Sequence, residues 1–287
     1  MMTTTETLFQ TGGSGRGNND ALNKAREETL AGILYRTDDT LTPYERKLKT
    51  NWQHCLWSFY REDHDEISIT QKAGRGNNYD FLVKYLRNGA EVHSEKIEFK
   101  HNAKTLKSMP QFLSLSSKSL TFDQGYAEYY YDNYLLQYVA TDSGITALIP
   151  EKAMWLKKVG STNYDGHPFF RQLKDREETF ANLEKAAVVN DSITAYLEAH
   201  GASIDLAQLS EKFKSTQAGK QYVLWDLHDF RVVGPLVDFD DLIYAGLNTE
   251  KNAILVNGRA TQYKLLLRWK NYKGILYPAW QISLAAL

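Results

Sequence analysis

The chain has 287 residues, of which 43% are hydrophobic and 24% charged, so it can bury the core of one large domain or two small ones. Its formal net charge is −1, and a polyanionic partner must therefore be read from local patches. A single cysteine, Cys55, excludes an intramolecular disulfide framework and a cysteine-rich zinc site. No apolar run reaches the roughly 18 residues of a membrane helix, and no secretory leader pattern opens the chain. An intracellular protein with no membrane partner, cytoplasmic if the source is prokaryotic, is expected.

Residues 1–20 are rich in Thr, Gly, Ser and Asn without a period and read as a flexible tail. Over 41–60, Tyr44, Leu48, Trp52, Cys55, Leu56 and Phe59 recur at spacings of three and four, the stripe of a helix packed on one face. Thr42-Pro43 supplies its N-cap and first residue. Gly74-Arg75-Gly76 is a loop by composition. Strands are predicted over 79–86 and 91–100, with Asn88-Gly89 as a hairpin signal between them. Residues 123–140 read as a helix whose Tyr126, Tyr130, Tyr134 and Tyr138 form a buried stripe in preference to a base-stacking platform. A short strand is expected within 139–150, and two or three helices over 171–215 with a break at Gly201. Strands follow over 222–227, 253–256, 263–269 and 275–284, with turns at Asn257-Gly258 and Lys273-Gly274. A boundary near 160–166 would divide a core over 21–160 from a helical, then β, region over 161–287 that completes the sheet or contacts substrate.

The chemistry concentrates in Asp80 and in Glu98-Phe99-Lys100. Glu98 and Lys100 are two apart and share a strand face. With a two-residue Asn88-Gly89 loop, Asp80 would lie opposite Ile97 and face away from Glu98. With a three-residue loop, Arg87-Asn88-Gly89, it would lie opposite Lys96. The second register puts Phe81, Val83, Tyr85, Ile97 and Phe99 on one face. Asp80, Lys84, Lys96, Glu98 and Lys100 fall on the other, with Leu82 the exception, and burial selects that sorted arrangement. Two carboxylates converging on one point suit a hard divalent cation, and a neighbouring lysine can orient a water and stabilise developing negative charge. Without a partner carboxylate, a Glu-x-Lys on a strand is a solvated face.

Asp80…Glu98-Phe99-Lys100 resembles the Asp…Glu-x-Lys core of the PD-(D/E)XK nuclease superfamily, which includes most type II restriction endonucleases; Tyr79 stands where the family's proline would be. The resemblance covers about residues 41–140. It implies an α/β, restriction-endonuclease-like fold in which a helix is followed by a hairpin bearing the Asp and Glu-x-Lys, then a helix and further strands, in a central mixed sheet flanked by helices. It implies Mg²⁺, with Mn²⁺ as substitute, held by Asp80, Glu98 and the Phe99 carbonyl, and Lys100 orienting the attacking water. It also implies an auxiliary helix glutamate, Glu45 ahead of Glu62 and Glu66, and an auxiliary Gln111.

Basic residues surround this segment: Lys96, Lys100, His101, Lys104 and Lys107, with Arg75 in the preceding loop, suit phosphate contacts. Lys212, Lys214 and Lys220 form a second basic group, and Arg259, Lys264, Arg268, Lys270 and Lys273 a third. Arg268, Lys270 and Asn271 combine the residue types that read base edges, though an edge strand blunted by lysine has the same composition. The expected function is Mg²⁺-dependent endonucleolytic cleavage of double-stranded DNA by a restriction-type homodimer. The alternatives are a structure-specific repair, recombination or viral genome-processing nuclease, an RNA endonuclease, and a non-catalytic nucleic-acid-binding protein on the same scaffold.

Overall fold

The structure, a computed structural model, describes residues 4–11, 19–72, 77–109, 111–140, 143–161, 166–174, 183–248, 252–269 and 276–285. In chain order the elements are α1 (Thr5–Gln10), α2 (Asn19–Ile33), α3 (Pro43–Trp57), β1 (Glu66–Gln71), β2 (Phe81–Arg87), β3 (Ala90–His101), β4 (Leu113–Ser116), α4 (Tyr126–Asn133), α5 (Leu135–Val139), α6 (Ser143–Thr146), α7 (Lys152–Lys158), α8 (Pro168–Lys174), α9 (Leu183–His200), α10 (Leu206–Gln217), β5 (Lys220–Trp225), β6 (Phe230–Gly234), β7 (Ile243–Asn248), β8 (Ala253–Asn257), β9 (Gln262–Trp269) and β10 (Pro278–Ala285). The chain is α/β. It divides into two units, one of Met1–Met109 with Lys214–Val237, the other of Pro110–Phe213 with Asp238–Leu287. The chain thus alternates between the two units, crossing at 109/110, 213/214 and 237/238, and not near residue 160 where a division was expected.

The first unit holds a mixed five-stranded sheet in the order β1-β2-β3-β5-β6. β1, β2 and β3 form an antiparallel meander, β5 runs parallel to β3, and β6 returns antiparallel. Helix α3 forms where its period predicts. Pro43 opens it, and Thr42 and Glu45 close a reciprocal capping box that satisfies two N-terminal amide donors. Its stripe, Leu48, Trp52, Cys55 and Leu56, is buried in one core with Phe81, Val83, Tyr85, Ile97, Phe99, Val223 and Trp225 from the sheet. Burying each large apolar side chain contributes about 1.5–3 kcal/mol.

The hairpin differs from the expected register. Arg87 pairs with Ala90, leaving Asn88-Gly89 as a two-residue loop with φ of 53° and 77°, both in the left-handed region a type I′ turn requires. The register then slips between Leu86↔Glu91 and Tyr85↔His93, so Val92 is an extra, bulged residue. Lys96 consequently faces Leu82, not Asp80, and Phe81 faces Ile97. The bulge shifts the register one way where the three-residue loop would have shifted it the other. Both have the same parity, and the apolar and polar faces sort as burial demands.

Part of the expected tail is a helix. Thr4 caps α1, and Leu8 and Phe9 are buried. The Phe9 carbonyl accepts from Trp225 Nε1 at 2.9 Å, and Arg26 Nε, itself buried, donates to the Leu8 carbonyl at 2.8 Å.

The second unit holds an antiparallel sheet in the order β4-β10-β9-β8-β7. The chain after residue 220 therefore serves both sheets: β5 and β6 complete the first, and β7 to β10 build most of the second. Tyr126, Tyr130 and Tyr138 are core residues, and Tyr126 Oη receives the Trp269 indole N–H at 2.9 Å. The helix expected over 123–140 breaks at Tyr134 into α4 and α5, and the strand expected within 139–150 is replaced by the short helix α6. Lys273-Gly274 lies outside the described residues. Among these, no helix is long and apolar enough to cross a membrane.

Candidate active site

Alternation along β3 sends Ile97 and Phe99 into the core and Glu98 and Lys100 to the opposite face. The parallel register sets Lys96 beside Lys220, Glu98 beside Tyr222 and Lys100 beside Leu224. Asp80 precedes β2 and is held by its backbone on both sides. Its N–H donates to the Ile97 carbonyl at 2.9 Å, and its carbonyl accepts from Lys72 N–H at 2.7 Å. Its Oδ2 accepts the Phe99 N–H at 2.8 Å, which brings the carboxylate to the Glu-x-Lys segment.

Four charged groups meet here. Glu98 Oε1 lies 2.5 Å from Lys100 Nζ, and Glu98 Oε2 lies 3.3 Å from Lys220 Nζ. Lys220 also donates to the Asn78 carbonyl at 2.7 Å. Burial first, and then the charge of Glu98, push the Asp80 carboxyl up to about 7 against the pull of Lys100. Burial works to lower the Lys100 ammonium, but Glu98, Asp80 and Glu27 outweigh it and hold that pKa above its ordinary value. At Lys220 burial prevails over Glu98, and the pKa is lowered.

This donor set fits a hard divalent cation. It offers oxygen ligands from two crowded carboxylates, one of which holds its proton too tightly for its type, and a dication relieves that crowding. No group of three His, Cys, Asp or Glu side chains stands together as a complete cage among the described residues. Mg²⁺ characteristically takes one or two carboxylates and fills its shell with water and phosphate oxygen.

Glu45 does not belong to this group. Its Oε2 accepts from Thr42 N–H at 2.9 Å, and its Oε1 accepts from Arg36 Nη1 at 2.8 Å and Thr5 Oγ1 at 2.9 Å. Burial opposes ionisation, but these donors hold its carboxyl down to about 2, as suits a helix cap. Glu62 accepts from the Tyr60 hydroxyl and Glu66 opens the edge strand β1, both exposed. The helix glutamate within electrostatic reach of Glu98 and Lys100 is Glu27 on α2, raised by burial and bonded by Gln71 Nε2 at 3.1 Å. Its signal in the sequence is the spacing of Arg26, Leu30 and Ile33, which marks a helix with a buried face.

His101 anchors α1 rather than facing a phosphate. Its Nε2 donates to the Phe9 carbonyl at 3.1 Å, and burial, aided by Arg26, lowers its pKa to about 4 and keeps the ring neutral. Lys96, Lys104 and Lys107 are exposed, with Lys96 Nζ 5.6 Å from the Tyr79 ring centre. Gln111 lies in the second unit, two residues before β4. Arg268 sits on β9, which is the central strand and not an edge, and its Nη1 donates to Gln281 Oε1 at 3.0 Å. Arg75, Lys270 and Asn271 lie outside the described residues. Lys220, which the sequence places with Lys212 and Lys214 in a second basic group, is 3% exposed. In comparisons with known proteins, no family model, no curated protein and no solved structure matches this chain.

Proposed function

We propose that this chain is a divalent-metal-dependent endonuclease that hydrolyses DNA phosphodiester bonds. The convergence of Asp80, Glu98 and Lys100 on one face of the first sheet carries the reading. The element order supports it: helix α3, then antiparallel strands with Asp80 just ahead of β2 and Glu98 on β3, and, after β4 and helices α4 to α10, the strand β5 parallel to β3; the PD-(D/E)XK resemblance implies a helix, such a hairpin, a helix and further strands. Asp80, Glu98 and the Phe99 carbonyl are the groups that would hold Mg²⁺ or Mn²⁺. When bound, the ion neutralises the scissile phosphate and lowers the pKa of a bound water. The Asp80 carboxylate is fixed by the Phe99 N–H, so it presents its other oxygen without rotamer search. Lys100 donates to Glu98 and can pass an N–H to the attacking water or to the developing negative charge. Glu27, not Glu45, is the auxiliary glutamate in this reading.

A homodimer of the restriction type, with two active sites for a duplex cut, is the leading version. A second reading, a nuclease selecting DNA structure over sequence, is favoured by Arg268, whose guanidinium is bonded to Gln281 within a central strand. Incubation with plasmid and long linear DNA, in Mg²⁺, Mn²⁺ or EDTA beside Lys100→Ala, tests both. Discrete bands that need metal and vanish in the variant are the expected result. A metal-dependent smear, or nicking of branched substrates, selects the second reading. RNA given in parallel reveals a ribonuclease, and no cleavage of either polymer with any metal overturns the proposal in favour of a binding protein.

A further inference from the structure

Lys220 is unusual because a lysine is almost never fully buried without a compelling partner. Among the described residues its ammonium has two partners, Glu98 Oε2 at 3.3 Å and the Asn78 carbonyl at 2.7 Å, and the Tyr222 ring centre lies 5.5 Å away. The shorter bond is to a backbone oxygen and is independent of Glu98. The ammonium therefore stays in place whatever happens to that carboxylate. Glu98 in turn is bridged, with Lys100 on one oxygen and Lys220 on the other. Lys100 is 21% exposed at its side chain and can swing towards solvent; Lys220, at 3%, cannot.

We infer that Lys220 is a built-in counter-cation of the carboxylate pair, a positioning residue that fixes Glu98 in the metal-free protein and opposes a divalent cation entering beside it. The inference rests on the metal-dependent reading above and goes beyond it. A fixed positive charge next to the ligand oxygens repels a dication at close range in a site of reduced dielectric. Metal affinity of the free protein is thereby held low. It rises only when a polyanion adds its own phosphate oxygens, so that metal and nucleic acid load together.

The test measures Mn²⁺ binding to the full chain by electron paramagnetic resonance, in wild type, Lys220→Met and Asp80→Asn. Wild type is expected to bind weakly, Asp80→Asn not at all, and Lys220→Met about tenfold more tightly than wild type. A structural defect does not tighten metal binding, so the gain separates a charge effect from damage to the fold. If wild type binds in an Asp80-dependent way while Lys220→Met binds equally or more weakly, the inference fails and the metal-dependent reading stands. If neither wild type nor Lys220→Met binds Mn²⁺, both fail. Near-UV circular dichroism verifies the fold. Lys220→Gln, which can still donate to the Asn78 carbonyl, replaces the methionine variant if that chain is unfolded, and loss of the fold in both variants makes Lys220 a purely structural residue and overturns the inference.

Discussion

Asp80 is held where its ionised form is disfavoured. Burial and Glu98 raise its folded pKa to about 7 from an ordinary 3.8, against Lys100 and the Phe99 N–H. Between these values the folded chain binds a proton that the unfolded chain has released, so stability from this group is present below about pH 4 and is lost as pH rises towards 7. Asp80→Asn keeps an oxygen to accept the Phe99 N–H and removes the charge. In EDTA at pH 8 its melting temperature is expected to lie roughly 2–8 °C above wild type, taking about 1–2 kcal/mol of relief after discounting for relaxation. The gap closes near pH 4. A calorimetric pH series that shows wild type and variant shifting in parallel would remove Asp80 from the site. If the proposed nuclease reading holds, the same substitution is expected to abolish cleavage, so stability and activity would move in opposite directions. On the same proposal, Lys100→Ala is expected to lower kcat about a hundred- to a thousandfold with DNA affinity in EDTA nearly unchanged, because its N–H would serve charge that develops only during reaction. Single-turnover cleavage beside a filter-binding assay reads both quantities.

Among the elements, the β2–β3 hairpin shows what one inserted residue does. Gly89, at φ 77°, has open space around a Cβ, so Gly89→Ala meets a conformational cost alone, about 1 kcal/mol, readable in urea unfolding. The sorting of Phe81, Val83, Ile97 and Phe99 against Asp80, Glu98 and Lys100 was legible in the sequence, because burial fixes parity. The loop length was not: Val92 is a polar-flanked valine that nothing marks as a bulge. Helix α3 was legible from its spacing and its Thr42-Pro43 cap. The strands β1, β4, β6 and β7 were not, being short and half exposed, with too few residues to display a period. Glu45 illustrates the same limit. A glutamate three residues after a capping threonine is first of all a cap, and a helix carboxylate nearer the site was hidden in α2. Helix α1 is tied by Leu8 and, above all, by the fully buried Phe9. Phe9→Ala is expected to cost about 3–5 kcal/mol, because the ring is fully buried against His101 and Trp225. Equilibrium unfolding of the variant checks this, and a change below about 1 kcal/mol would show that α1 is dispensable.

For the whole molecule, the first sheet is written in two separated stretches of chain. β5 is an interior strand, flanked by β3 and β6, and Val223 and Leu224 are fully buried. A chain ending at Phe213 therefore lacks both the core and the hydrogen-bonding edge that β3 needs. It is expected to leave residues 43–101 without cooperative unfolding, visible as a broad thermal transition and rapid proteolysis. Synthesis imposes the same order in time. Glu98 leaves the ribosome 122 residues ahead of Lys220, a lag of roughly 6–24 s at ordinary elongation rates. Throughout that interval the nascent chain carries its acidic residues without the cation that later holds them. β3 can pair with β5 only once residues 220–225 have emerged, so a nascent chain shorter than that has no finished site.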